Sequence, residues 1–405
     1  MNISLSRYLK ISLFNLLLVA LVGVVMRYKI LYSLPFVDQK HLLHGHSHFA
    51  FAGWITQTLM VLLVAYLSKE TQKDEFIAYK KLLLANLFTA YGMLIAFPIE
   101  GYGLVSIIFS TLSVFISYLF ALRFWKDLNK LGNQSVTHYW FKTGLLLSIL
   151  SSAGTFGLAY MMANKIIHQN WYLAAVYFYL HFQYNGWFFF TCMGLFYAIL
   201  PSQIITEIEF RKAFWLFALA SVPAYFLSTL WMSLPLWVYI LVVVAGCLQL
   251  IAWAIFVRSI FKHRQIISEK LSRESKWLLS LCAFALTIKL SLQLGSTIPS
   301  LSQLAFGFRS IVIAYLHLVL LGVITMFLLG YIFSLNAFFV KKTTVCGAII
   351  FAAGIFLNEL VLMLQGIASF SYTIIPYTNE LLLCMALLMF SGILILLLSQ
   401  FKKIK

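Results

Sequence analysis

The sequence predicts an all-α fold, a polytopic transmembrane bundle of about twelve helices, on three observations. Hydrophobic residues make up 62% of the 405 positions and charged residues 10%, more apolar surface than a soluble domain of this length could hide in one core. The apolar residues are gathered into runs of about 20, each roughly enough to cross a ~30 Å hydrocarbon core. No stretch alternates apolar and polar residues with a period of two, which excludes a transmembrane barrel. No connection is long enough to fold alone, so residues 1–405 read as a single transmembrane domain.

The runs follow in order. The first, 11–31, comes after Arg7 and Lys10 and has no small-residue cleavage site behind it, so it reads as a retained helix and not as a signal peptide. The second, 47–67, is preceded by "HLLHGHSH", which puts four histidines at its lip. Runs 81–99 and 103–123 are joined by the short turn "FPIEGYG". Next come 143–163 and then 171–199, which contains "YLHFQYNGWFFF". Runs 212–231 and 235–257 precede the longest connection, "RSIFKHRQIISEKLSRESKW". The last four are 276–295 with Lys289, 309–334 with His317, 344–365 with Glu359, and 378–400. No Gly-rich or Ser-rich linker and no short sequence repeat is read between them.

The formal charge of +17 is spread over short connections, which excludes a nucleic-acid-binding patch. Of the 29 Lys and Arg, 23 fall in the N-terminus, the even-numbered connections and the C-terminal tail. By the positive-inside rule both termini face the cytoplasm. Cys192, Cys247, Cys282, Cys346 and Cys384 stand singly in or beside apolar runs, without CxxC or CxxCH spacing. That excludes a zinc knuckle and covalently attached haem, and reads as small buried hydrophobes.

The histidines carry the chemistry. His44, His46 and His48 open helix 2, His181 lies in helix 6 and His317 in helix 10, an interval of four helices each time. All three helices enter from the non-cytoplasmic side, so these imidazoles share the outer half of the bundle. His317, eight residues beyond Arg309, lies about 12 Å along its axis. At 100° per residue His41, His44 and His48 share one face, whereas His46 points about 200° away from His48. Ionisable side chains in spans face the bundle interior and mark sites or pathways. A neutral imidazole is also the commonest ligand for transition metals and haem iron. For a single His the plainer reading is a hydrogen bond to a neighbouring helix.

Two segments carry a family resemblance. "HSHFAFAGW" resembles the HxH segment of membrane haem proteins of the haem-copper oxidase and nitric oxide reductase superfamily, and that of NnrS-like proteins. "HLVLLGVITMFLLGYI" is similar to an NnrS-like span with a His ahead of Gly and Met. The resemblance implies an arrangement like oxidase subunit I in a bacterial inner membrane. His46 or His48 and His317 would ligate haem b, and His181 would take the place of a helix 6 copper ligand, with His44 a further metal-ligand candidate. It also implies contact with membrane lipid, a small-gas ligand and a redox partner. Arg309 could hold a haem propionate or act as an interfacial anchor. The sequence departs from the oxidase pattern: "FRKAFWLFALASVPAYFLSTLW" has no His, and helix 10 has one His instead of HxH. Oxygen reduction at a binuclear centre, and proton pumping coupled to it, are therefore disfavoured. An NnrS-like protein, carrying haem and copper and associated with nitric oxide stress, fits better. Whether the chain turns over a substrate stays open.

Other polar residues have two readings each. Glu100 is a solvated loop carboxylate or a proton entry. Glu359 needs a partner, and Lys289 either supplies one or snorkels to the interface. Gln183 and Asn185 either orient the His181 ring or bond between helices. The aromatic cluster around His181 walls a macrocycle or simply packs helices. Two other functions compete: a proton-coupled transporter using intramembrane His, Glu and Lys, and a copper or zinc protein using His41, His44 and His48. No GxSxG, HExxH or GxxxxGK[ST] motif supports soluble hydrolase chemistry.

Overall fold

The computed structural model describes residues 3–132, 135–302, 308–370 and 373–401. Among them there is no strand, and the helices are α1 (Ile3–Leu31), α2 (39–71), α3 (Phe76–Glu100), α4 (Leu104–Asn129), α5 (Val136–Ala163), α6 (169–199), α7 (Ile208–Ser221), α8 (Leu236–Lys262), α9 (Arg273–Gly295), α10 (309–334), α11 (Lys342–Phe370) and α12 (Thr378–Ser399). Ten are long and apolar enough to cross a membrane, so the protein is an all-helical, multi-pass membrane protein. The two outside that set are α6 and α7. Helix α6 is long enough, but Gln169, Asn170, His181, Gln183 and Asn185 dilute its apolar content. Helix α7 ends at Ser221 and is followed by a 3-10 segment, Pro223–Thr229, because Pro223 has no N–H to continue the α ladder. The basic tail residues Lys402, Lys403 and Lys405 lie outside the described residues.

The chain forms two compact units, Met1–Asp127 with Leu328–Lys405, and Leu128–Phe327. In the first, α1 packs on α12, α2 on α3, and α11 on α12. Gly347 and Gly392 let the α11 and α12 backbones come together there. In the second, α5 packs on α6, α7 on α8, and α9 on α10.

Three helices widen into π turns: α2 at Ala50–Thr56, α6 at Phe182–Phe188 and α10 at Leu318–Thr325. Each begins just beyond a histidine, His48, His181 or His317, and each contains a glycine five residues after it. The segments "HFAFAGWIT", "HFQYNGWFF" and "HLVLLGVIT" are thus a repeat, contrary to the expectation of none. The preceding helix lies against each turn. Gly186 would place a Cβ 2.8 Å from Leu147 Cβ on α5, and Gly322 one 3.3 Å from Ala285 Cβ on α9, so a side chain at Gly186 in particular has no room. In α2 the widened turn exposes carbonyls that neighbours satisfy. Asn15 on α1 donates to Gly53 O at 2.6 Å, and Asn86 on α3 donates to Ala52 O at 3.1 Å and to Gln57 Oε1 at 2.8 Å.

Candidate functional site

In the first unit the site is built at the head of α2. Asp38 caps the helix, accepting from the backbone N–H of His41 at 2.8 Å. That bond holds the Asp38 carboxyl below the usual carboxylate range. The stripe His41, His44 and His48 then meets the turn after α3, as its shared face requires. The His41 ring closes over Gly101, where a Cβ would lie 2.5 Å from Nε2. His44 meets Tyr102 edge-on, with ring centroids 4.7 Å apart. His48 stacks on Phe97 at 4.3 Å and 9°. His48 Nε2 has Tyr102 Oη at 3.4 Å, a long contact.

His46 leaves this face, as its angle predicts. Its ring turns toward Gly23 on α1, and its Nδ1 is buried with no partner. His44 Nε2 is likewise buried without a partner. Glu100 is neither a free surface carboxylate nor aimed at these rings. Its Oε1 accepts from Ser106 N at 2.6 Å, capping α4 beside a bond from Ser106 Oγ to Gly101 O. Glu359, on α11, accepts from Asn358 Nδ2 at 3.1 Å.

In the second unit His181 is the most enclosed imidazole, 1% exposed. Its Nε2 donates to Ser221 O at 2.9 Å, and its Nδ1 accepts from Asn185 Nδ2 at 3.1 Å. A carbonyl can only accept, so the ring is the neutral Nε2–H tautomer with both nitrogens in use. The Ser221 carbonyl needs this donor because the α ladder stops at Pro223. His181 therefore splices the broken end of α7 to α6, the hydrogen-bonding reading of a buried histidine. Asn185 orients its ring, and Gln183 bonds across to Ser151 Oγ on α5 at 2.7 Å.

Lys289 on α9 does not snorkel: it is 5% exposed and, among the described residues, makes no ion pair. It lines a water-sized cavity with Asn185, Gln249, Phe189, Phe190 and Phe217. Arg309 is exposed at the first turn of α10, and His317 closes that helix's α segment before the π turn.

Among the described residues no three His, Cys, Asp or Glu converge as a bare metal site would require. Cys192 and Cys282 are buried as expected, Cys247 is half-buried, and Cys346 and Cys384 are exposed on apolar helices instead. The sequence reading missed Phe97, Tyr102, Gln249 and Ser221. The interior Pro223 and the His-to-Gly spacing were the signals for the last of these and for the π turns. No family model matches the chain, and no curated protein matches it.

Proposed function

We propose that the chain is a haem-binding membrane protein of the haem-copper oxidase and NnrS-like kind, acting in small-gas redox chemistry, electron transfer or the response to nitrosative stress. The observation that carries this reading is the pair of buried imidazole nitrogens without partners at the head of α2, His44 Nε2 and His46 Nδ1. A polar atom buried without a hydrogen bond is costly, and a ligand relieves that cost. The donor set suits haem better than a bare ion. Haem iron brings four porphyrin nitrogens and asks for one or two imidazoles, whereas copper or zinc held by protein alone needs three or four convergent ligands.

Haem b, when bound, supplies a one-electron couple and an iron that takes a gas ligand. The protein's part is to keep imidazoles neutral, aimed and dry. His46 lies against α1 with a buried nitrogen open to a ligand. Phe97 and Tyr102 pack against the His44 and His48 rings and hold them in place. His317 is the candidate of its own unit, standing ahead of its π turn as His48 does. With both His181 nitrogens engaged, copper is an additional ligand in this reading and not its basis.

The same reading takes the bundle as twelve crossings in a bacterial inner membrane, both termini cytoplasmic. Glu207, just ahead of α7, pairs with Lys262 at 3.1 Å and His263 at 2.8 Å at the end of α8. That position supports the reading in which α7 and its 3-10 extension cross back toward Leu236 at the other end of α8. The competing transporter reading rests on the intramembrane histidines together with Lys289 and Glu359.

The test is the reduced-minus-oxidised spectrum of the purified protein with a pyridine haemochrome assay. A Soret band and a sharp b-type α band are expected, with the α band altered by His46→Ala, His48→Ala or His317→Ala. A colourless preparation that takes up no haem overturns the reading and turns attention to transport assays.

A further inference from the structure

Lys289 is charged chemistry that the haem reading does not use. Its side chain is buried in the second unit, in the last third of α9, and has neither a hydrogen bond nor an ion pair among the described residues. The acidic residues of that unit are Glu207, Glu209, Glu269 and Glu274. All four lie in connections, a short helix between α8 and α9, or first helical turns, none in the body of a membrane helix. His181, close enough to feel the Lys289 charge, is a neutral ring with both nitrogens occupied. The unit's own side chains thus give the ammonium no counter-charge, and an unpaired cation in an apolar interior costs several kcal/mol.

The cavity beside it supplies the rest of a binding site. Gln249 on α8 lines it with Oε1 buried and unpartnered, and since a half-turn of the carboxamide exchanges its oxygen and nitrogen, the same position presents an N–H to an anion. Phe189, Phe190 and Phe217 complete the wall. The three rings make the pocket apolar and dry, which leaves the ammonium as the charge for an anion to answer and the carboxamide as its hydrogen-bonding neighbour. Its size admits a water or an ion little larger. We propose that this cavity binds a small monovalent anion of halide size through the Lys289 ammonium and the Gln249 carboxamide. Anions of several heavy atoms, nitrite, formate, sulfate and phosphate among them, are too large for it.

The experiment uses the full-length protein in detergent, with thermal unfolding followed at constant ionic strength as sodium gluconate is replaced by sodium bromide. Bromide should raise Tm in a saturating fashion where gluconate does not. Lys289→Met should abolish the response, and Gln249→Leu should shift its midpoint to about tenfold higher bromide. Should Lys289→Met not fold, the Gln249→Leu midpoint and the anomalous scattering of bromide in wild-type crystals decide, with a peak at Lys289 Nζ expected. Equal Tm curves in bromide and gluconate, a Lys289→Met protein that still responds, an unmoved Gln249→Leu midpoint, or no bromide peak each overturn the proposal.

Discussion

At His181 the two ring nitrogens face opposite demands, one donating to the Ser221 carbonyl and the other accepting from Asn185. A side chain used so fully is replaced at a cost set by what it leaves behind. His181→Leu strands a buried acceptor, and the variant should lose about 1–3 kcal/mol in thermal unfolding. Its haem and copper content per protein should stay at the wild-type level, and a fall in copper would return His181 to the ligand role its helix position suggested. Glu207 works in water, outside the spans. His263 first, and Lys262 with it, hold its carboxyl below its ordinary 4.5. A carboxylate with a lowered folded value contributes stability that is present above its unfolded value and lost as pH falls through the folded one. The acid limb of the stability curve, below about pH 4.5, should therefore flatten in Glu207→Gln, while the curve near pH 7 keeps its slope.

At the scale of the element, the three π turns show what hydropathy cannot see. Widening a helix by one residue changes which carbonyl each N–H meets, yet leaves an apolar run as apolar as before. The run 309–334 was therefore legible as a span, while its π turn was not. The stripe of His41, His44 and His48 was legible because three residues on one helix fix their own geometry. The rings packed on it, Phe97 and Tyr102, come from the far end of the next helix and the turn after it, and no local rule places them there. The same limit hid Ser221 from His181, since the bond joins residues forty positions apart. Packing at the turns is testable through the glycines. Gly186→Ala forces a methyl to 2.8 Å from Leu147 Cβ and should cost about 1–3 kcal/mol, whereas Gly322→Ala, at 3.3 Å from Ala285, should cost less. Equal costs in thermal unfolding would mean that the Leu147 contact relaxes freely. Asn86→Leu removes donors from both Ala52 O and Gln57 Oε1, so it should destabilise more than Asn86→Gln.

For the whole molecule, the number of crossings turns on α6 and α7, which composition alone leaves out of the set of ten. Helix α7 contributes 14 residues and its 3-10 extension seven. At rises of about 1.5 and 2.0 Å per residue they span roughly 35 Å, enough for a ~30 Å hydrocarbon core. At the other end of this hairpin, Tyr225 donates to Ala174 O at 3.0 Å, which ties the 3-10 extension to the first turns of α6. The α6–α7 connection then shares a side with the end of α8, through Glu207, while the α5–α6 and α7–α8 connections share the opposite side. Single cysteines introduced at Ser202 and at the fully exposed Ile167, after removal of the five native ones, report this directly. Ile167→Cys in intact cells should react with a membrane-impermeant maleimide, and Ser202→Cys should react only once the membrane is opened. If both react from outside, α6 and α7 form a re-entrant hairpin of a ten-span protein. The pairing of Glu207 with Lys262 and His263 would then be lost, since it requires Glu207 at the end of α8 opposite Leu236.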